Sequence, residues 1–526
     1  MTEHYKTLTL VSALAAAVTA CGGGSAASAS QSDTAAADTP AVAVSAPLPD
    51  TVYASVGMIK PRVRVLDTVT PGRIDDFTDP YRSAPGVFTF RANYLRDADM
   101  GGRVEGCPSD IVVDWVFETT TDTRETGFGR WGGGTGWTGQ PLYVEWPDSV
   151  LRRFRSAGHL AEGFSGREII VGSLAAQLYF IDFNTGKASR TPIALGNPIK
   201  GTGSIDPSMN GNFYIGHGVP AERPFGALVV DLNRHKVSDI VPEDPWAIRR
   251  WGAYDPSPLR VGRFLIRPGE NGIIYKYTVT PGGLKLHSEM QYTGASGGSP
   301  GIESSMSVYR NYGYTADNHG YVVCTNLDNM QPVWVYASGD DNDASTVITV
   351  EDSRPYVYCS SEIDRQGTGT ARLAKLDGLT GEPVWEKRIP GARFDNDGKH
   401  FDGGFYSTPL PGKGNCSHLL FSNMVYNTRG QNGSFIAVDR ATGETVYEVP
   451  LRVYAWSSPV GFVNSDDRMF VLTGDCGGNL YLIDGADGTV IKRKPVGSNF
   501  ESSPVVVGNS AVVGSRGNSI FKVSLK

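Results

Sequence analysis

Acidic, basic and aromatic side chains recur at one kind of place in this sequence: just ahead of short apolar stretches that open with Ser-Ser-Pro or a variant of it. Trp456-Ser457-Ser458-Pro459, Glu501-Ser502-Ser503-Pro504 and Tyr406-Ser407-Thr408-Pro409 are the clearest cases, and Glu303-Ser304-Ser305-Met306 is close. Looser versions end at Pro141, Pro207, Pro256 or Pro258, and Val347. In register, the leading residues are Thr138, Ser204, Asp255, Glu303, Asp343, Tyr406, Trp456 and Glu501. Asp206, Asp402, Arg249, Arg250, Trp137 and Trp251 fall close by. If the openings converge in space, carboxylates flanked by guanidinium and indole groups can bind a cation, a sugar or a peptide terminus. The same groups also suit a solvated channel, with the Ser and Thr hydroxyls answering backbone N–H groups at strand starts.

A second candidate is the segment 127–137, Gly-Phe-Gly-Arg-Trp-Gly-Gly-Gly-Thr-Gly-Trp. Its glycines make a pliant loop, and Phe128, Trp131 and Trp137 are its candidate partner contacts. It lacks the lysine and hydroxyl of a phosphate-binding loop, which argues against a nucleotide. The eight histidines form no metal-ligand pair, and no Cys-x-x-Cys occurs, so no zinc site is expected. Asp395-Asn396-Asp397-Gly398 resembles the start of a calcium loop but lacks the glutamate required further on. Asp340-Asp341-Asn342-Asp343 is a similar acidic turn. Gly-Thr-Gly-Ser at 201–204 is not a hydrolase nucleophile turn. No catalytic residue and no metal site is assigned.

The 526-residue chain carries a net charge of -7 and no long basic run, which argues against nucleic acid as its partner. A 20% charged, 40% hydrophobic composition excludes wholesale disorder. The first 20 residues read as an export signal, with a small-residue apolar stretch ending in Val18-Thr19-Ala20-Cys21. Small residues before a lone cysteine resemble a bacterial lipobox, which makes Cys21 the lipidation site. Gly22 after it, rather than Asp, favours the outer membrane by that resemblance. Residues 21–60 are read as lipidated cysteine and flexible tether, 61–111 as a leading segment, and 112–526 as the folded body. No second apolar stretch long enough to cross a bilayer follows.

The elements that position the candidate groups are repeats. Leu480-Tyr481-Leu482-Ile483-Asp484 with Asp487-Gly488 has counterparts in Leu178-Tyr179-Phe180-Ile181-Asp182 with Thr185-Gly186, and in Phe435-Ile436-Ala437-Val438-Asp439 with Thr442-Gly443. Leu373-Ala374-Lys375-Leu376-Asp377, with Thr380-Gly381 and Trp385, is another. Each copy is an apolar strand ending at Asp, a polar turn, and an outer strand with an aromatic. Pro409, Pro459 and Pro504 recur at the roughly 40–50-residue spacing of a four-stranded propeller blade. The longer gap after Val347 places an insertion near 391–402. Eight openings accompany only seven complete hairpins. Ile111-Val112-Val113-Asp114-Trp115-Val116-Phe117 can supply the strand missing after Ile520-Phe521-Lys522-Val523. The expectation is therefore an all-β, eight-bladed β-propeller of four-stranded antiparallel blades, closed by pairing its N- and C-terminal strands.

These hairpins and openings, with Phe88-Thr89-Phe90-Arg91-Ala92-Asn93 and Asp114-Trp115-Val116-Phe117 ahead of them, resemble the quinoprotein-like (PQQ-repeat) β-propellers over residues 86–526. With the lipobox, the chain is similar in style to the propeller lipoproteins of the outer-membrane β-barrel assembly machinery. That resemblance implies a non-catalytic, lipid-anchored scaffold facing the periplasm. Its partners would be envelope proteins or an extended ligand, with the membrane reached through the lipid alone, and the chain a monomer within a larger complex. The enzymes of the same fold imply the alternative, a dehydrogenase using PQQ with Ca2+. The chain lacks their adjacent cysteine pair and any Cys-x-x-Cys-His haem motif, so no cofactor is expected. A carbohydrate-binding surface lipoprotein using Trp137, Trp251 and Trp456 is the third reading.

Overall fold

A computed structural model describes residue 48 and residues 54–526, apart from 99, 101–102, 137–138, 282, 366, 397–398, 427–431 and the side chains of 395–400. Eight antiparallel sheets of four main strands each form the ring of a propeller. In chain order their innermost strands are Leu142–Glu145, Ser204–Ile205, Leu259–Val261, Ser307–Tyr309, Val347–Glu351, Leu410–Pro411, Val460–Val463 and Val505–Val507, and these number blades 1 to 8. Blade 8 takes its outer strand from the other end of the chain. Ile111–Glu118 pairs with Ser519–Leu525, from Ile111 opposite Leu525 to Glu118 opposite Ser519. This closure satisfies the last free sheet edge of the ring.

The repeat turns show why the sequence repeats. The Asp182 carboxylate accepts the backbone N–H groups of Asn184 and Thr185 at 2.9 and 2.8 Å. Gly186 then closes the turn at φ 70°, where a side chain would be strained. Asp377 and Asp439 cap their turns in the same way. Each turn is also stapled to the preceding blade. Trp115 Nε1 donates to the carbonyl of Phe183, Trp334 to that of Gly378 and Trp385 to that of Arg440, at 2.9–3.0 Å. The turn glycine lies against the same ring: a Cβ on Gly186 or Gly381 would come 2.6 Å from Trp115 or Trp334. The outer-strand aromatic is thus the joint between neighbouring blades.

The Ser-Ser-Pro openings make a second joint, near the axis. The N–H of Ser257 donates to Ser305 Oγ, that of Ser305 to Ser345 Oγ, and that of Ser345 to Thr408 Oγ1. Thr408 and Ser458 continue the series to Ser458 Oγ and Ser503 Oγ. The hydroxyls do answer strand-start N–H groups, and they do so for the neighbouring blade.

Inner strands begin directly after Pro141, Pro258, Met306, Pro409, Pro459 and Pro504, and at Val347. Blade 2 differs from expectation. Its inner strand is Ser204–Ile205, so Asp206 and Pro207 follow the strand rather than precede it. Lys200, not Ser204, is the residue in register with Asp255 and Glu303.

The leading segment does more than connect. Ile59–Val65, which straddles the boundary expected at residue 60, adds a fifth strand outside blade 3. Gly86–Val87 pairs inside blade 1. Residues 88–96 then cross the axis as a plug. Arg91 and Arg96 are fully buried there. Arg91 donates to the carbonyls of Arg96, Thr408, Pro409 and Pro459, and Arg96 to those of Met306 and Ser257. Burial pulls both guanidinium groups down to about 9. A helix, Asp148–Ser156, is inserted in blade 1 and buries Val150, Leu151 and Phe154. The insertion expected near 391–402 lies in an extended hairpin of blade 5 and a small hairpin after it. No helix among the described residues is long and apolar enough to cross a membrane.

Candidate functional site

Because the innermost strands all start at one end of the ring, the residues four places ahead of them gather at a single mouth. Lys200, Asp255, Glu303, Asp343, Tyr406, Trp456 and Glu501 occupy this position; Thr138, its blade 1 equivalent, lies outside the described residues. The turns between second and third strands reach the same mouth and add Glu270 and Glu362. Behind them, the plug closes the axis. A cavity of about 10 Å³ remains, lined by Phe90, Glu303, Asp343, Tyr406 and the hydroxyl residues Ser305, Ser345, Thr408 and Ser458. That volume holds about one water.

One side of the mouth is built on Lys200. Its ammonium pairs with Asp255, and lies 3.3 Å from Glu270 Oε1 and 3.3 Å from Glu303 Oε2. Burial alone would lower this ammonium, but the three carboxylates outweigh it and hold it well above its ordinary value. Burial raises Asp255 and pushes Glu270 well above the usual range, with Glu303 reinforcing both shifts. Trp251 Nε1 donates to Glu270 Oε2 at 2.7 Å.

Next to it stands a second carboxylate triad, Asp341, Asp343 and Glu362, with oxygens within 4.8 Å of one another. All three are driven well above the ordinary range by burial first and by neighbouring carboxylates second. Asp402, joined to the Tyr406 hydroxyl, is raised to about 6 by burial. The far side is aromatic. Tyr406 stacks on Trp456 at 4.6 Å, and Tyr454 closes on Trp456 at 5.4 Å. Glu501 accepts from Asn499 Nδ2 at 2.7 Å and pairs with Arg516 at 3.7 Å.

The glycine-rich loop reaches this rim at two points. Phe128, 58% exposed, meets the Trp251 ring edge-on at 5.2 Å. Trp131 lies 5.6 Å from the Arg516 guanidinium. Trp137 and Cys21 lie outside the described residues. Arg249 lies over Gly301, while Arg250 is exposed and makes no ion pair among the described residues. Asp206 does not join the mouth. It accepts from the Tyr214 hydroxyl at 2.8 Å and from Ser208, and lies 3.7 Å from Arg260, past the inner strand of blade 2. Sequence reasoning missed Lys200, Glu270 and Glu362. The loose opening Ser204-Ile205-Asp206-Pro207 shifted blade 2 by four residues, and no opening motif marks the turns that carry the two glutamates.

Residues 431–526 match the family described as outer membrane protein assembly factor BamB. A search among curated proteins returns no match. Solved structures match through the fold. A quinohemoprotein alcohol dehydrogenase from Comamonas testosteroni is similar at TM-score 0.57 and 13% identity, over 84% of this chain and 80% of that one. A europium-containing methanol dehydrogenase gives 0.54 and 13%, over 85% and 99%. The alcohol dehydrogenase ADHIIG from Pseudomonas putida HK5 gives 0.57 and 12%, over 86% and 82%.

These enzymes raise the question whether the mouth fits PQQ, a tricyclic quinone bearing several carboxylates, with a metal ion. Its walls are carboxylates, and the Lys200 ammonium is already shared among three of them. Tyr406 and Trp456 stack on each other, leaving no slot for a ring between them, and the axial cavity has room for about one water. The five described cysteines are free, so no disulfide platform flanks the mouth. These residues do not fit the quinone. The oxygen donors of Asp341, Asp343 and Glu362 do suit a hard cation such as Ca2+. Blade count and repeat turns make the chain an eight-bladed β-propeller, a fold it shares with these enzymes, and its last residues, 431–526, match the PQQ-repeat family model.

Proposed function

We propose that this protein is a non-catalytic binding scaffold of the bacterial cell envelope. In this reading an acyl chain on Cys21 holds it at the outer membrane, facing the periplasm, and its acidic mouth docks a partner. The observation that carries the reading is the mouth itself: a cup closed below by the plug, with carboxylates along one side and Phe128 and Trp251 on its rim, a negative surface that disfavours an anionic quinone. A rigid ring with pliant rim loops recognises; it needs no bond chemistry to do so. The match over 431–526 supports a partner within the machinery that assembles outer-membrane proteins.

The test is a photo-crosslinking amino acid at Phe128 or Glu501 in cells, paired with a titration of the purified protein with PQQ and Ca2+. Crosslinks to envelope proteins from the rim, absent when the probe sits on the opposite face at Arg155, support the scaffold. Saturable PQQ binding with dye reduction in the presence of alcohols would replace it with the dehydrogenase reading.

A further inference from the structure

We propose that Lys200 is the resident cation of the mouth: its ammonium fills the place among Asp255, Glu270 and Glu303 that an oxygen-ligated metal ion would take, so this half of the site works without metal. The three carboxylates each offer an oxygen within 4.8 Å of the others, the convergence that a hard cation requires. The centre of that arrangement is taken, because Lys200 contacts all three. Its side chain is only 7% exposed, against 0% for Asp255 and 4% for Glu270.

The lysine is also positioned. A Cβ on Gly218 would lie 2.6 Å from Lys200 Cγ, and one on Gly136 would lie 2.9 Å from Lys200 Cα. Neighbouring backbone therefore packs along both the start of the stem and the main chain and aims the ammonium at the three carboxylates it pairs with. On the other side, Trp251 Nε1 occupies the second oxygen of Glu270. A divalent ion entering here would meet a positive charge and a carboxylate already committed to a hydrogen bond. The repeat explains the placement: blade 2 puts Lys where blades 3, 4 and 5 put Asp255, Glu303 and Asp343. A built-in cation thus sits within a ring of acids, and the inference holds whichever partner docks.

Terbium(III) tests it on the full-length protein, with luminescence sensitised by Trp251 beside Glu270. In the wild type, any signal should be unchanged by Asp255→Asn, since the Asp341 triad is the other carboxylate cluster among the described residues and carries no lysine at its centre. Lys200→Ala should gain a saturable site that binds about tenfold or more tightly than any in the wild type, because it leaves buried charge uncompensated. Lys200→Ala combined with Asp255→Asn should lose that gain. A wild-type signal abolished by Asp255→Asn or Glu270→Gln would overturn the proposal. So would a folded Lys200→Ala protein that gains nothing. Should Lys200→Ala not fold, Lys200→Met carries the same comparison. The wild type can also be dialysed against chelator and its metal content measured; retained Ca2+ that Asp255→Asn removes would likewise overturn the assignment.

Discussion

Buried carboxylates at the mouth make the protein's stability depend on pH in a direction opposite to ordinary acid denaturation. Asp402 and Asp317 are each raised from 3.8 to about 6, chiefly by burial. A carboxyl group whose pKa is higher in the folded state binds its proton more tightly there. Its contribution is complete below the unfolded value and is lost as pH rises through about 6. Each shift is worth at most about 3 kcal/mol, and less where neighbouring carboxylates titrate together. The thermal midpoint should therefore fall between about pH 4 and pH 6.5, and Asp402→Asn should flatten that slope. A midpoint that is level or rising over this interval contradicts the burial of these groups. Most of the acids were legible in the sequence because the opening motif marks them: Asp255, Glu303, Asp343 and Glu501 all reach the mouth. Lys200 was not, because its opening ends in Ile205-Asp206-Pro207 and the proline suggested the wrong register. Asp206 was misplaced for the same reason, and its carboxylate answers the Tyr214 hydroxyl instead.

Between neighbouring elements, the repeated aromatic does the work the sequence could only hint at. An outer-strand Trp three times in eight blades would pass for plain core, but its indole nitrogen and its face both engage the next blade's turn. Trp334 is fully buried, donates to the Gly378 carbonyl at 3.0 Å, and leaves no room for a side chain at Gly381. Trp334→Phe should cost about 1–2 kcal/mol, the loss of one buried hydrogen bond with its acceptor left behind. Trp334→Ala should cost about 3–5 kcal/mol, since a cavity is added. Chemical denaturation of the two variants separates the terms; equal losses would mean that the hydrogen bond carries nothing. Sequence periodicity identified both strands of this joint but not the contact, because Trp334 and Gly378 belong to different repeats. The plug shows the same limit. Phe88-Thr89-Phe90-Arg91 was legible as a leading motif, yet nothing local in it says that Arg91 will reach the carbonyls of blades 6 and 7.

At the scale of the whole propeller, stability rests on closure. Blades 1 to 7 are each one hairpin-connected run of chain, whereas blade 8 exists only when Ile111–Glu118 meets Ser519–Leu525. The eighth joint is therefore made from residues some 400 positions apart, and no ring is complete until it forms. Long loop closure costs entropy that grows only slowly with length, so the penalty falls on folding rate more than on final stability. Removing residues 519–526 takes away the strand that lies between Ser510–Gly514 and Ile111–Glu118. It exposes two sheet edges at once and frees the Trp115 staple on blade 1. Such a truncation should lose cooperative thermal unfolding and aggregate through those edges. A circular permutant that links residue 526 to residue 110 and opens the chain in the exposed turn at 352–353 leaves out the plug and the leading strands but should still fold as a closed ring. In it every joint between the main strands of neighbouring blades is retained, and the backbone N–H of Asp110 already donates to the Lys526 carbonyl, so the linker spans a short gap. A permutant that unfolds like the truncation would show that chain order, rather than ring closure, sets the stability of this propeller.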